Sequence, residues 1–153
     1  MSIASSVAFE PCPTRRVLLA EDDAAMRTML ACRLRRAGFE VVQTSNGAEA
    51  LLRFAQGRSG TRGTAIDVVV SDLRMPGCDG LEILASLQRD ATCVPVILIT
   101  AFGTMATHVE AARLGAYAVV NKPFDLDDLT TLVTAASRAV ARPPAPVRDG
   151  RRA

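Results

Sequence analysis

Four apolar stretches of this sequence run straight into residues able to handle a charged group. "VLLAEDD" closes on Glu21, Asp22 and Asp23, and "VVVSD" closes on Asp72. "VILITA" ends on Thr100 and Ala101, and "AVVNKPF" holds Lys122. Lys122 is the only lysine in a chain whose 18 Lys and Arg side chains are otherwise all arginine. Carboxylates gathered in one crevice repel each other and raise each other's pKa, so a bound cation is needed to keep all of them ionised. A ligand set of oxygens alone, with no His or Cys, favours Mg²⁺, which takes one or two carboxylates, several waters and a phosphate oxygen. A hydroxyl (Thr100) and an ammonium (Lys122) on the other side would complete a clamp on a phosphoryl group. Asp72, alone at its strand tip, is the natural carboxylate nucleophile for an aspartyl phosphate. A compact ammonium suits one phosphoryl oxygen better than a planar guanidinium fork does. Taken singly, each residue has a plainer role: Asp23 as a helix N-cap, Asp72 as a turn former, Thr100 as a strand residue, Lys122 as a surface charge. Their joint placement at successive strand ends is what points to one site.

The elements that must position them alternate along the chain. Five short apolar runs, "RVLLA" (16–20), "EVVQT" (40–44), "IDVVVS" (66–71), "PVILIT" (95–100) and "YAVVN" (117–121), read as strands. Three of them are near-continuous in Val, Ile and Leu, as expected of parallel strands covered on both faces. Between them, Ala24–Ala37 is amphipathic and stopped by Gly38, and Thr104–Leu114 is stopped by Gly115. Asn46 with Glu49 and Asp79 with Glu82 have the spacing of capping boxes. Asp125–Val140 opens with Asp125, Asp127 and Asp128, where the helix dipole favours negative charge. Strict alternation of this kind implies a parallel α/β sheet with right-handed crossovers and helices on both faces. Ligands of such sheets lie beyond the carboxyl ends of the strands.

Bulk composition sets the outer limits. A chain of 153 residues, 49% apolar and 22% charged, suits one globular domain. The net charge of +2 comes from an Arg/Pro-rich end, and residues 1–140 are near neutral. The expected layout is a loose segment at 1–13, a folded domain at 14–140 and a disordered tail at 141–153. For that tail, a solvated terminus or linker stub is preferred over a nucleic-acid or membrane contact. Cys12, Cys32, Cys78 and Cys93 are widely spaced and His108 is the only histidine, which argues against a zinc site or a disulfide framework. Reduced thiols, the lack of a secretory signal and the lack of a membrane-length apolar run suggest a cytoplasmic protein without a membrane span.

"VLLAEDD", "SDLRMPGCDGLEIL", "LITAFGT" and "NKPF", in this order and spacing, resemble the receiver domain of two-component response regulators over about residues 15–140. The resemblance implies a doubly wound, flavodoxin-like sheet of order 2-1-3-4-5. It implies Asp72 as the phosphorylated aspartate, Asp22 as a direct Mg²⁺ ligand with Glu21 acting mainly through water, and the Arg74 backbone carbonyl as the third protein ligand. Thr100 and the Ala101 amide would meet the phosphoryl oxygens, Lys122 would pair with them, and the bond to Pro123 would be cis. The phosphodonor would be a phosphohistidine on a sensor histidine kinase or a histidine phosphotransfer protein. Because nothing after Val140 reads as an output domain, the expected output is protein contact through the face of the fourth helix, fifth strand and fifth helix, with no DNA-binding domain.

Two departures bear on switching. Many members of that family carry an aromatic residue three positions before the lysine, where this chain has Val119; Tyr117, two residues earlier, is expected to be core or edge packing. Phe102, two beyond Thr100, is expected to shield the phosphoryl group from water, and His108 to be a surface residue. A binding module that no longer phosphorylates, and the receiver part of a longer transcription regulator, are the competing readings. A flavin carrier of similar architecture is set aside, because "EDDAA" after the first strand would repel its phosphate.

Overall fold

The structure is a computed structural model and describes residues 14–59, 64–89, 93–101 and 103–140. The segments expected to be loose, 1–13 and 141–153, lie outside the described residues. In chain order the elements are β1 (Arg16–Ala20), α1 (Ala24–Arg36), β2 (Glu40–Thr44), α2 (Gly47–Ser59), β3 (Val68–Asp72), α3 (Gly80–Arg89), β4 (Val96–Thr100), α4 (Met105–Arg113), β5 (Ala118–Asn121) and α5 (Leu126–Val140). The strands form one sheet in the order β2-β1-β3-β4-β5, parallel throughout.

Strand alternation explains why the runs are apolar at every position. Val17 and Leu19 face one way, with Val68, Val70, Ile97 and Ile99, onto Leu30, Ala31 and Leu34 of α1 and Leu129, Val133 and Ala136 of α5. Leu18 and Ala20 face the other way, with Val69, Val96 and Leu98, onto Ala50 and Phe54 of α2, Ile83, Leu84 and Leu87 of α3, and Ala111 of α4. The central strands β3 and β4 are buried along their whole length. Each fully buried Leu, Ile or Val there contributes about 2 kcal/mol of apolar burial.

Helix starts follow from side-chain caps. Asp23 Oδ1 accepts the Met26 amide at 2.8 Å, Asn46 Oδ1 accepts the Glu49 amide at 2.8 Å, and Asp79 Oδ1 accepts the Glu82 amide at 2.8 Å. The Glu49 carboxylate turns back to the Ser45 amide at 3.4 Å, one residue before the cap that a strict capping box would engage. Gly38 (φ +99°) and Gly115 (φ +87°) follow the ends of α1 and α4 in the left-handed region, where glycine carries no Cβ penalty.

One strand boundary differs from the sequence expectation in a way that matters for the site. The apolar run begins at Ile66, but β3 begins at Val68. Asp67 takes the place of a ladder rung, its carboxylate accepting the Arg16 amide at 2.8 Å while its own amide donates to the Arg16 carbonyl at 2.9 Å. The strand then extends one residue further than expected, so that Asp72 is its last member.

α3 is seated directly behind that tip. The Gly80 amide donates to the Leu73 carbonyl at 3.0 Å, and a Cβ at Gly80 would lie 2.7 Å from the Asp72 carbonyl oxygen and 3.1 Å from the Leu73 Cα. These are main-chain atoms that cannot swing aside. Gly80→Ala is therefore expected to destabilise the fold by about 2 kcal/mol, read as a lower urea midpoint with an unchanged slope. An unchanged midpoint would show that the β3 tip yields.

Candidate functional site

Sheet register builds the site. Ala20 pairs with Ser71, so the next residues on β1 and β3, Glu21 and Asp72, lie side by side at the carboxyl edge. Asp72 pairs with Ile99, and Thr100 pairs with Asn121, which sets Thr100 and Lys122 one step beyond on the other flank. The Lys122 amide continues the ladder to the Thr100 carbonyl at 2.8 Å, and the Glu21 amide does the same to Thr44 at 3.1 Å. The Lys122–Pro123 bond is cis.

Burial grades across the site. Glu21 is 1% exposed, Asp72 8% and Thr100 1%. Lys122 Nζ donates to Asp72 Oδ2 at 3.1 Å and approaches Glu21 Oε2 at 3.5 Å. The Arg74 amide donates to the other carboxylate oxygen of Asp72 at 3.2 Å. Asp22 and Ala101 are exposed at the rim. Carboxylate oxygens of Glu21, Asp22 and Asp72 all lie within 4.8 Å of one another. Asp23, the third acid of the triplet, stands apart as the cap of α1, while its amide donates to Glu21 Oε1 at 3.1 Å.

Burial and charge both leave marks. Burial, followed by the Asp72 charge, pushes the Glu21 carboxyl from 4.5 up to about 7, against the pull of the Asp23 amide and of Lys122. Burial alone would lower Lys122, but the hydrogen bond and charge of Asp72, then those of Glu21, outweigh it and hold the ammonium above its ordinary value. A carboxyl that resists ionisation beside two others is a cluster short of positive charge. The donors are oxygens only, they converge, and one of them is exposed. That fits a hard divalent cation, which keeps several of its own waters.

The flanks add detail to two sequence readings. Tyr117, expected as core or edge packing, precedes the edge strand β5 and is 42% exposed, which fits the edge and not the core. Val119, in β5, is half-buried against the α2–α3–α4 side of the core, so an aliphatic side chain fills that position. His108, expected as a surface residue, lies partly exposed with Nε2 3.1 Å from Asn121 Oδ1, next to Lys122. No periodic signal marks that pair, because it joins α4 to β5 across the edge of the sheet. Phe102 lies outside the described residues.

In metal-free protein the folded state binds the Glu21 proton more tightly than the unfolded chain does. Between about pH 4.5 and about pH 7 the folded state thus holds more protons, and stability falls as pH rises through that window. Glu21→Gln should remove that part of the slope, at most about 3 kcal/mol. Urea unfolding in EDTA at about pH 5 and about pH 7.5 measures it. Identical pH slopes for the two proteins would contradict the account of a buried, proton-retaining carboxyl.

Comparison with known proteins places this geometry. The family model of the response regulator receiver domain matches residues 17–134. The chain is 41% identical over 118 residues to the regulatory protein AtoC of Escherichia coli K12, covering 77% of this chain and 24% of AtoC. It is 36% identical over 131 residues to the DNA-binding transcriptional regulator NtrC of a Bradyrhizobium strain, covering 86% of this chain and 25% of NtrC. A crystal structure of a response regulator receiver domain protein from Clostridium thermocellum superposes with a TM-score of 0.74 at 26% identity, covering 82% of this chain and 95% of that one. The chain thus spans about a quarter of the length of these two curated relatives. That overturns the expectation of an output through protein contacts alone, without a DNA-binding domain. It rested on the stretch after Val140, and the composition of a terminal stretch reports on that stretch only, whereas relatives such as NtrC are DNA-binding regulators several times longer. Among the described residues no helix is long and apolar enough to cross a membrane. The chain belongs to the response regulator receiver domain family, the signal-receiving module of two-component systems.

Proposed function

We propose that Asp72 is the phospho-acceptor of this receiver and that the surrounding residues supply the chemistry of its own phosphorylation and dephosphorylation. The observation that carries this reading is the Lys122 ammonium, 3.1 Å from Asp72 Oδ2, beside carboxylate oxygens gathered within 4.8 Å. An Asp72 carboxylate oxygen attacks phosphorus, the bond from phosphorus to the donor breaks, and the leaving group takes the electron pair and a proton. A phosphohistidine nitrogen or a small acyl phosphate serves as donor. Lys122, the Thr100 hydroxyl and the Ala101 amide hold phosphoryl oxygens as charge builds on them, which carries most of such a reaction. Asp22, Asp72 and the Arg74 carbonyl would hold Mg²⁺, with Glu21 acting through water. The cation would offset the clustered negative charge and orient the phosphoryl group. Water later takes the phosphoryl group from Asp72 and restores the carboxylate.

A specific observation favours a wider reading as the receiver part of a longer transcription regulator: the chain covers 24% of AtoC and 25% of NtrC. Phosphorylation would then bias a two-state equilibrium read by the rest of that protein. The free Cys32, Cys78 and Cys93 support a reducing, cytoplasmic setting. The unit that carries the function is taken as residues 14–140.

Incubation with Mg²⁺ and acetyl phosphate, followed by intact mass, tests the reading. A single phosphoryl adduct is expected, lost in Asp72→Asn and in EDTA. Lys122→Ala should form it roughly 100-fold more slowly, the scale of losing one preorganised charge at a phosphoryl clamp. An adduct that survives Asp72→Asn would overturn the assignment, and none in the unaltered protein would favour a phosphorylation-independent module.

A further inference from the structure

Asp22 is the one exposed member of the acidic group, and its carboxylate converges with those of Glu21 and Asp72. Its direction is set by the two peptide planes that flank it, and both are tied down. On the leading side, the carbonyl of Glu21 accepts a hydrogen bond from Arg27 Nη1 at 2.9 Å. On the trailing side, the Asp23 amide donates to Glu21 Oε1 at 3.1 Å. The first of these bonds fixes the plane that turns about the φ of Asp22, and the second fixes the plane that turns about its ψ. The Glu21 residue between them is anchored in turn, its amide closing the β1–β2 ladder on Thr44. Arg27 sits in the first turn of α1, where its own amide donates to the Asp23 carbonyl at 2.9 Å and its side chain is half-buried. The α1 helix, started by the Asp23 cap, thereby reaches back over its own entry turn and grips the last peptide of β1.

We propose that Arg27 is a positioning residue for the cation pocket: through the Glu21 carbonyl it fixes the peptide that presents Asp22, and so prepares the pocket for a divalent cation. This rests on the reading of the acidic group as a Mg²⁺ site. Arg27 meets this turn through the Glu21 carbonyl. The same interaction satisfies a carbonyl at the strand end that the helix following it cannot reach with its own amides. A methionine at this position has similar length and no donor, whereas a lysine keeps one.

The experiment compares the unaltered protein with Arg27→Met and Arg27→Lys. Three quantities are read: the Mg²⁺ dissociation constant by calorimetry, the exchange rate of the Asp23 amide in metal-free protein, and the rate of phosphoryl adduct formation against Mg²⁺ concentration. Arg27→Met should weaken Mg²⁺ by about tenfold, as removal of an outer partner of a metal site does. It should also speed Asp23 amide exchange. At saturating Mg²⁺ its phosphorylation rate should return to within about twofold of the unaltered protein, the pattern of a lost binding term rather than a lost transition-state contact. Arg27→Lys should recover most of the affinity, and it carries the test if Arg27→Met unfolds, in which case its Mg²⁺ constant should still be measurably weaker than that of Arg27. Unchanged Mg²⁺ affinity in both variants overturns the proposal. So does a loss of maximal rate that no Mg²⁺ concentration repairs. Failure of the unaltered protein to bind Mg²⁺ at all would instead sink the underlying site assignment.

Discussion

One ammonium reaching two carboxylates, at 3.1 Å and 3.5 Å, is the interaction on which this molecule's arrangement depends. Glu21 and Asp72 are 51 residues apart in sequence and Lys122 is a further 50 beyond Asp72, so only the closed sheet brings them together. Without Lys122 the hollow would hold buried negative charge with nothing opposite it, a situation that costs several kcal/mol per ion in a protein interior. Even with Lys122 the account does not balance, since Glu21 is held near neutrality at a carboxyl pKa of about 7. On the proposed reading, a bound cation would supply the positive charge that the cluster lacks. The chemistry and the incomplete neutralisation are two views of the same geometry.

The scaffold explains how such a cluster is tolerated. Two apolar layers, one under α1 and α5 and the other under α2, α3 and α4, bury β3 and β4 along their whole length. The ladder pairs the central strands up to their carboxyl ends, where the register sets Glu21, Asp72, Thr100 and Lys122 along one edge. The unfavourable electrostatics are confined to that edge. The close seat of Gly80 behind Asp72 and the bonds around Asp22 then limit how far the edge can relax.

Much of this was legible in the sequence. Near-continuous Val/Ile/Leu runs announce strands covered on both faces, and in a parallel sheet the residues following each run must share one edge. That logic puts Glu21, Asp22, Asp72, Thr100 and Lys122 at one edge, as the sheet register does. It failed where a side chain substitutes for the backbone. Asp67 reads as part of a strand, but its carboxylate stands in for a rung and β3 begins at Val68. It also missed contacts that follow no period, namely Arg27 reaching back over its own helix start and His108 meeting Asn121 across the sheet edge. The output expectation failed for a different reason, since relatives such as NtrC show the receiver as a quarter of a DNA-binding regulator.

The central claim is that a single carboxylate, Asp72, becomes an acyl phosphate. Borohydride reduces an acyl phosphate to the alcohol and leaves free carboxylates untouched, so the phosphorylated side chain of an aspartate is converted to homoserine. Peptide mass analysis after phosphorylation with Mg²⁺ and reduction should find homoserine at position 72 and aspartate at positions 22 and 23. Homoserine at another acidic position, or none in a chain that carried the phosphoryl adduct before reduction, would contradict the account.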